Sequence, residues 1–303
     1  MTNGLSNNNN STTSPMLGEH AIVIGGSMAG LLTARVLSDY FERVTIFEAD
    51  TLPNEPVPRK GVPQGSHIHT LMAGGSNVVR KYFPDLHDDL VAAGAEYGDP
   101  MLNSRTYVGA RWSPRIESGL GTYVMSRPLL EAVVRKHTVA IANVELRIAT
   151  PVSGYTHSTR DAHGAGSTHS TRDAHGAGST SNDSNTIVTG VTLEQSGETI
   201  AADFVADVSG RNSKTASWIK PMGFTPPQRS AIGIDIGYTT FEVAEPPDNQ
   251  RDWSLLYVAQ KGIPKDTRIG GILHKEGGRY LVTAQGFHKD YAPTDWPGFL
   301  AYM

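Results

Sequence analysis

The 303-residue sequence contains no cysteine. That absence excludes disulfides, thiolate metal sites and a cysteinyl bond to a prosthetic group, and it fits a reducing compartment, so a cytoplasmic location is expected. Long apolar runs are also missing. Nothing approaches the ~20 residues that a membrane-spanning helix needs, and no transmembrane segment is expected. Positive charge is not in excess: 26 Lys and Arg stand against 30 Asp and Glu, a net charge of −4. Without a basic stripe, nucleic acid is not an expected partner. The first 17 residues, MTNGLSNNNNSTTSPML, lack the basic start and apolar core of a signal peptide and read as a disordered polar tail.

What is present is concentrated in residues 21–50, AIVIGGSMAGLLTARVLSDYFERVTIFEAD. They read as strand, glycine-rich turn, helix and second strand ending on an acid, the βαβ unit of a dinucleotide-binding domain. Residues 20–24 suit a strand buried on both faces. The turn Gly25, Gly26, Ser27, Met28, Ala29, Gly30 follows at once, with Ser27 at the second glycine of GxGxxG. Serine is small enough to let backbone approach a pyrophosphate. Gly30, Ala34 and Leu37 then recur at helical spacing, small residues first, where a helix must pack closely on its strand. A phosphate at that helix N-terminus meets unpaired N–H groups and the positive end of the dipole.

Glu48 ends the second strand, where a carboxylate can accept hydrogen bonds from both ribose hydroxyls and would repel a 2′-phosphate. The expected ligand is therefore the adenosine of FAD or NAD, not of NADP. The same glycine-rich turn occurs in α/β proteins that bind no nucleotide. The full order of elements within about 30 residues favours the nucleotide.

Length sets a prior of two domains at about 150 residues each. Residues 18–220 read as the first, interrupted over 156–186, and residues 221–303 as a partial second. The interruption holds HSTRDAHGAGST at 157–168 and again at 169–180, with no hydrophobic side chain larger than alanine, so it cannot bury a face and reads as a flexible surface insertion. Its histidines (His157, His163, His169, His175) invite a metal reading, against which a loop without fixed geometry argues. Beyond it, residues 186–193 and 198–201 flank the turn Gln195, Ser196, Gly197 as a hairpin. Residues 204–208 lead into Ser209 and Gly210, and Asp207 ends this strand. Residues 230–243, 253–259, and 268–274 paired with 279–286 look like an antiparallel sheet.

Taken together, GGSMAGL with Glu48, RKGVPQGSHIHTL at 59–71, SRPLLE at 126–131, DVSGRNS at 207–213 and the stretch from 263 to 295 resemble the FAD-dependent oxidoreductases of the aromatic hydroxylase and FAD monooxygenase type, with related epoxidases and isoprenoid reductases. The resemblance implies an α/β fold: a Rossmann-like FAD-binding domain with a parallel sheet and β-meander, then a domain with an antiparallel sheet. It implies FAD as cofactor, NAD(P)H as reductant and an apolar aromatic or isoprenoid-like small-molecule substrate. Gly25, Gly26, Ser27 and Gly30 would form the pyrophosphate turn and Glu48 would hold the ribose. Arg127 matches the arginine at the phosphate and ribityl region, Arg59 the arginine facing the cofactor, and Asp207 the aspartate of the second FAD motif, although DVSG replaces the commoner DG pairing.

His67 and His69 in GSHIH would share one face of a strand, where a metal pair, a histidyl flavin link or a general acid can be imagined, but they read rather as a polar contact near the flavin or an ordinary hydrogen-bonded pair. No metal site and no catalytic base is assigned. Relatives carry a further glycine–aspartate motif that serves the ribityl chain, and this sequence stops at Met303 before it. A shortened chain, a homo-oligomer or a partner covering that region, and a non-catalytic nucleotide-binding remnant are the corresponding expectations, beside a flavin-linked double-bond reductase.

Overall fold

The computed structural model describes residues 15–159, 185–248, 250–259 and 266–303. The chain divides into two compact units, Met1–Ala49 with Ile141–Pro226, and Asp50–Ala140 with Pro227–Met303. The sequence places the first domain over 18–220, with an insertion at 156–186. Residues 50–140 instead fold with the late segment, because the strand Ser104–Val108 pairs in parallel with Leu255–Ala259.

In the first unit, four parallel strands lie in the order Phe204–Asp207, Gly18–Ile24, Phe41–Phe47, Val144–Arg147. Ala21, Ile22, Val23, Val44 and Ile46 expose no surface. Burial on both faces is why the two leading strands read as continuous apolar runs. The helix Met28–Leu37 connects them and buries Gly30, Leu31 and Ala34. A three-stranded antiparallel meander follows, Val152–Thr159, Thr186–Leu193 and Thr199–Ala201. The hairpin read around Gly197 is present, with Thr199 opposite Thr192 and Gly197 at φ 69°. Val152, Val191 and Leu193 of the meander pack with Ile22, Ile24 and Phe47 of the parallel sheet, so one core joins the two layers. Each such fully buried aliphatic side chain contributes ~1.5–3 kcal/mol relative to leaving it in water.

The meander also bounds the insertion more tightly than the sequence does. Pairing persists to Thr159, which stands opposite Thr186, so strand structure enters the 156–186 segment at both ends. The flexibility and metal readings of the repeat fall mainly on residues 160–184, and the polar-tail reading on residues 1–14, both outside the described residues. Among the described residues, no group of three or more His, Cys, Asp or Glu side chains is placed to hold a metal ion.

The second unit is built on six strands in the order Gly237–Ala244, Arg279–Gly286, Arg268–Lys275, Leu255–Ala259, Ser104–Val108, Arg111–Trp112. The hairpin read at 268–286 forms with Lys275 opposite Arg279, its tight turn carried by Gly277 and Gly278 at φ 77° and 63°. Residues 230–236, expected to belong to the first of these strands, do not pair. Ile232 is 91% exposed and Asp235 adopts φ 45°, a left-handed conformation that cannot continue a ladder. The helix Arg127–Val139 starts where Ser126 accepts the Leu129 N–H at 3.2 Å, and it buries Leu129, Leu130, Val133 and Val134. The helix Trp296–Tyr302 seats Phe299 against Ala284, Ala292 and Phe241. No described helix is long and apolar enough to cross a membrane.

His67 and His69 are not on a strand. They follow a short 3₁₀ turn, Pro63–Ser66, in which proline and Gly65 bend the chain. His67 Nδ1 lies 2.7 Å from Thr240 Oγ1 and His69 Nδ1 lies 3.1 Å from the His67 carbonyl, so the two rings make separate contacts.

Candidate functional site

In the first unit the candidate residues gather at one edge of the parallel sheet. Ile24 stands opposite both Phe47 and Asp207, so the glycine turn, Glu48 and the segment after Asp207 leave the sheet side by side. Gly25 donates its N–H to the Phe47 carbonyl at 2.8 Å and takes φ 106°, which a side chain would resist. Gly26 donates its N–H to Glu48 Oε2 at 2.7 Å. The Glu48 backbone is itself fixed, its N–H given to the Arg147 carbonyl at 2.9 Å and its carbonyl accepting from Thr150 at 2.8 Å.

Space is as restricted as geometry. A Cβ on Gly30 would sit 1.7 Å from the Gly25 carbonyl oxygen, and one on Gly26 would sit 2.9 Å from Glu48 Cβ. These glycines let the turn fold onto the helix Met28–Leu37, at whose N-terminus Ser27 stands in extended conformation. The first-turn N–H groups of a helix lack intrahelical acceptors, and an anion placed there also meets the positive end of the dipole.

Asp207 spends its carboxylate within its own turn. Oδ1 accepts the Ser209 N–H at 2.9 Å and the Ser209 hydroxyl, while Oδ2 accepts the hydroxyls of Ser213, at 2.7 Å, and Thr215. Burial opposes the charge, but the hydroxyls of Ser209, Thr215 and Ser213 and the Ser209 N–H outweigh it and hold this carboxyl below the usual carboxylate range. Its place is that of an organiser of the 208–215 turn. That turn meets the glycine loop directly: Val208 donates to the Ile24 carbonyl at 3.0 Å, and a Cβ on Gly25 would lie 3.1 Å from Ser209 backbone atoms.

In the second unit, Arg59 and Arg127 come together on a residue that the sequence reading passed over. Arg59 Nε donates to Glu131 Oε1 at 3.1 Å and Arg127 Nη1 to Oε2 at 2.6 Å, and Arg59 Nη1 also meets Asp50 Oδ2 at 2.7 Å. The signal was available in SRPLLE, where Glu131 falls four positions after Arg127 on one helix face. A small hollow of about 20 Å³ opens beside these side chains, walled by prolines such as Pro53, Pro58 and Pro128. A second hollow of about 230 Å³ in the same unit is lined by Ser66, Ser126, Thr240, Glu242, Lys275 and Leu281. Thr240 Oγ1 there lies 2.7 Å from Thr283 Oγ1 as well as from His67.

A parallel βαβ unit with a glycine turn and terminal acid, a meander packed on it, and a separate mainly antiparallel sheet together define a class: the fold is that of the FAD-dependent monooxygenases. In particular, 90% of the chain superposes on PqsL of Pseudomonas aeruginosa, a probable FAD-dependent monooxygenase, with a TM-score of 0.58 and 14% identity, covering 62% of that chain. A 2-methyl-3-hydroxypyridine-5-carboxylic acid oxygenase matches 92% of the chain at a TM-score of 0.52 and 17% identity, again over 62% of its own length. In sequence, the chain is 32% identical over 291 residues to protein Rv3254 of Mycobacterium tuberculosis, an alignment covering 88% of this chain and 53% of that protein. The chain thus spans about half the length of Rv3254 and less than two thirds of either solved structure. No family model matches the chain.

Proposed function

We propose that this chain binds FAD and acts as an oxidoreductase of the monooxygenase type, reduced by NAD(P)H and acting on an apolar aromatic or isoprenoid-like small molecule in the cytoplasm. The observation that carries the reading is the glycine turn fixed to Glu48 at the end of a buried parallel strand, with no room for a Cβ at Gly30. Those residues fit a dinucleotide: Gly25, Gly26, Ser27 and Gly30 would take its pyrophosphate, and a carboxylate has about four acceptor positions, so the Gly26 bond is compatible with ribose hydroxyls on Glu48.

Arg59 and Arg127 would serve the ribityl and phosphate region, and Asp207 would act by shaping the turn beside Gly25. FAD supplies the redox chemistry and the activation of oxygen; the protein supplies binding, orientation and exclusion of water. The second hollow sets Pro56, Pro58, Pro128 and Leu281 beside the hydroxyls of Ser66, Ser126 and Thr240 and the charged Glu242 and Lys275, so it offers a small molecule both apolar wall and polar contacts.

The test is an FAD titration followed by flavin fluorescence, then NAD(P)H consumption over a panel of aromatic and isoprenoid compounds with and without oxygen. Bound FAD with oxygen-dependent, substrate-stimulated NAD(P)H use is the expected result. Equal turnover without oxygen would make the protein a double-bond reductase, and absence of FAD binding would end the reading.

A further inference from the structure

Glu131 is buried, its side chain 5% exposed, and it serves more than its own helix. An acid at this depth costs stability unless its charge is paired, and one partner four residues away, Arg127, would already provide a pair. The second partner comes from elsewhere: Arg59 lies 72 positions earlier and reaches the other carboxylate oxygen. Arg135, one turn further along the helix, stands 3.9 Å from Oε1 and gives Nη2 to the Pro53 carbonyl at 2.9 Å. Asp50 takes Arg59 Nη1 and also accepts the Gly61 N–H at 2.9 Å, tying the loop that carries Arg59 to the same group. Three guanidiniums and two carboxylates thus meet in one cluster.

A guanidinium is a rigid planar fork, so a carboxylate gripping one edge fixes the direction of the remaining donors. Glu131 does this for two arginines with its two oxygens, which makes their directions interdependent. Arg59 and Arg127 also line the small proline-walled hollow, together with Glu55, Glu131 and Arg135.

We infer that Glu131 is a positioning residue: it holds Arg59 and Arg127 as one pre-set pair of cations for the phosphate and ribityl part of the cofactor. The inference rests on the FAD reading above. It assigns the work of alignment to an acid that itself touches no ligand, and it makes the two arginines act as a unit.

The experiment compares the affinities of the full chain for FAD and for AMP in wild type, Glu131→Gln and Glu131→Asp, with melting temperatures and the visible spectrum of bound flavin. In Glu131→Gln the amide oxygen still accepts from one arginine, but its NH₂ faces the other. FAD affinity is expected to fall about tenfold, the scale of one charge-assisted hydrogen bond. AMP lacks the flavin half, and its affinity should change by less than about twofold. Glu131→Asp keeps the charge and is one methylene short, so it should lie between the two.

Unchanged FAD affinity in Glu131→Gln would overturn the inference. So would equal losses for FAD and AMP, which mark a purely structural acid. Should Glu131→Gln fail to fold, wild-type FAD affinity in Glu131→Asp would overturn it in the same way. Wild-type protein that binds AMP but not FAD would remove the functional reading, and this inference with it.

Discussion

Glu48 Oε2 accepts the Gly26 N–H at 2.7 Å, so the acid offered to a ribose is also the group that fixes the glycine turn. The two roles separate by substitution. Glu48→Ala removes both, leaving the Gly26 N–H without this acceptor and the ribose hydroxyls unpaired, at roughly 1 to 3 kcal/mol, or about 5- to 150-fold in FAD affinity. Glu48→Gln keeps an amide oxygen for Gly26 and should retain the wild-type melting temperature while still losing affinity. Calorimetric titration with FAD alongside thermal melts checks both statements; equal affinity in all three proteins would remove Glu48 from the cofactor site.

Gly30→Ala tests the cradle. Its Cβ would stand 1.7 Å from the Gly25 carbonyl oxygen, a backbone atom that cannot rotate away, so the turn has to open. The expected loss is about 2–3 kcal/mol or more, at the upper end of overpacking costs, with FAD binding abolished. Urea unfolding of the variant measures it, and an unchanged midpoint with full binding would show that the turn yields.

Asp207 predicts a pH dependence. Its carboxyl is held below the ordinary value of 3.8, so the folded state prefers the ionised form. The stability this adds is fully present above about pH 4 and is lost as pH falls through the depressed folded value. Asp207→Asn should cost about 1–2 kcal/mol at neutral pH, and the gap to wild type should shrink on acidification. Denaturant unfolding at neutral and acid pH reads this directly; a gap that widened towards low pH would contradict it.

The insertion predicts tolerance. Thr159 and Thr186 are already cross-strand partners, so a two-residue Asn-Gly turn in place of the intervening chain joins strands that pair in any case. Loop-closure entropy varies slowly with length, and shortening should leave the melting temperature within about 4 °C of wild type. A larger fall would show that the segment packs.

What the sequence disclosed and what it concealed follow from the range of the forces involved. Ala21, Ile22, Val23, Val44 and Ile46 announce a buried parallel pair because local hydrophobicity alone records burial on both faces. The hairpin at Lys275 and Arg279 carries its own turn residues. Residues 230–236 alternate as a strand would, yet they join no ladder among the described residues, and Asp235 turns the chain in a left-handed conformation. His67 and His69 misled for the opposite reason, since Pro63 and Gly65 override the period-two pattern just before it. Glu131 carries no reading in the sequence because its partner Arg59 lies 72 positions away.

The parallel pairing of Ser104–Val108 with Leu255–Ala259 also sets a timetable for synthesis. Its two halves lie about 150 residues apart in the chain, and at ~5–20 residues per second the later strand leaves the ribosome roughly 8–30 s after the earlier one. Throughout that interval the strand carrying Tyr107 waits with a ladder edge unmatched, beside exposed Val108 and Trp112. Nascent chains are therefore exposed to mispairing in the interval between these two strands, and slowing elongation there should raise the share that needs a chaperone or aggregates.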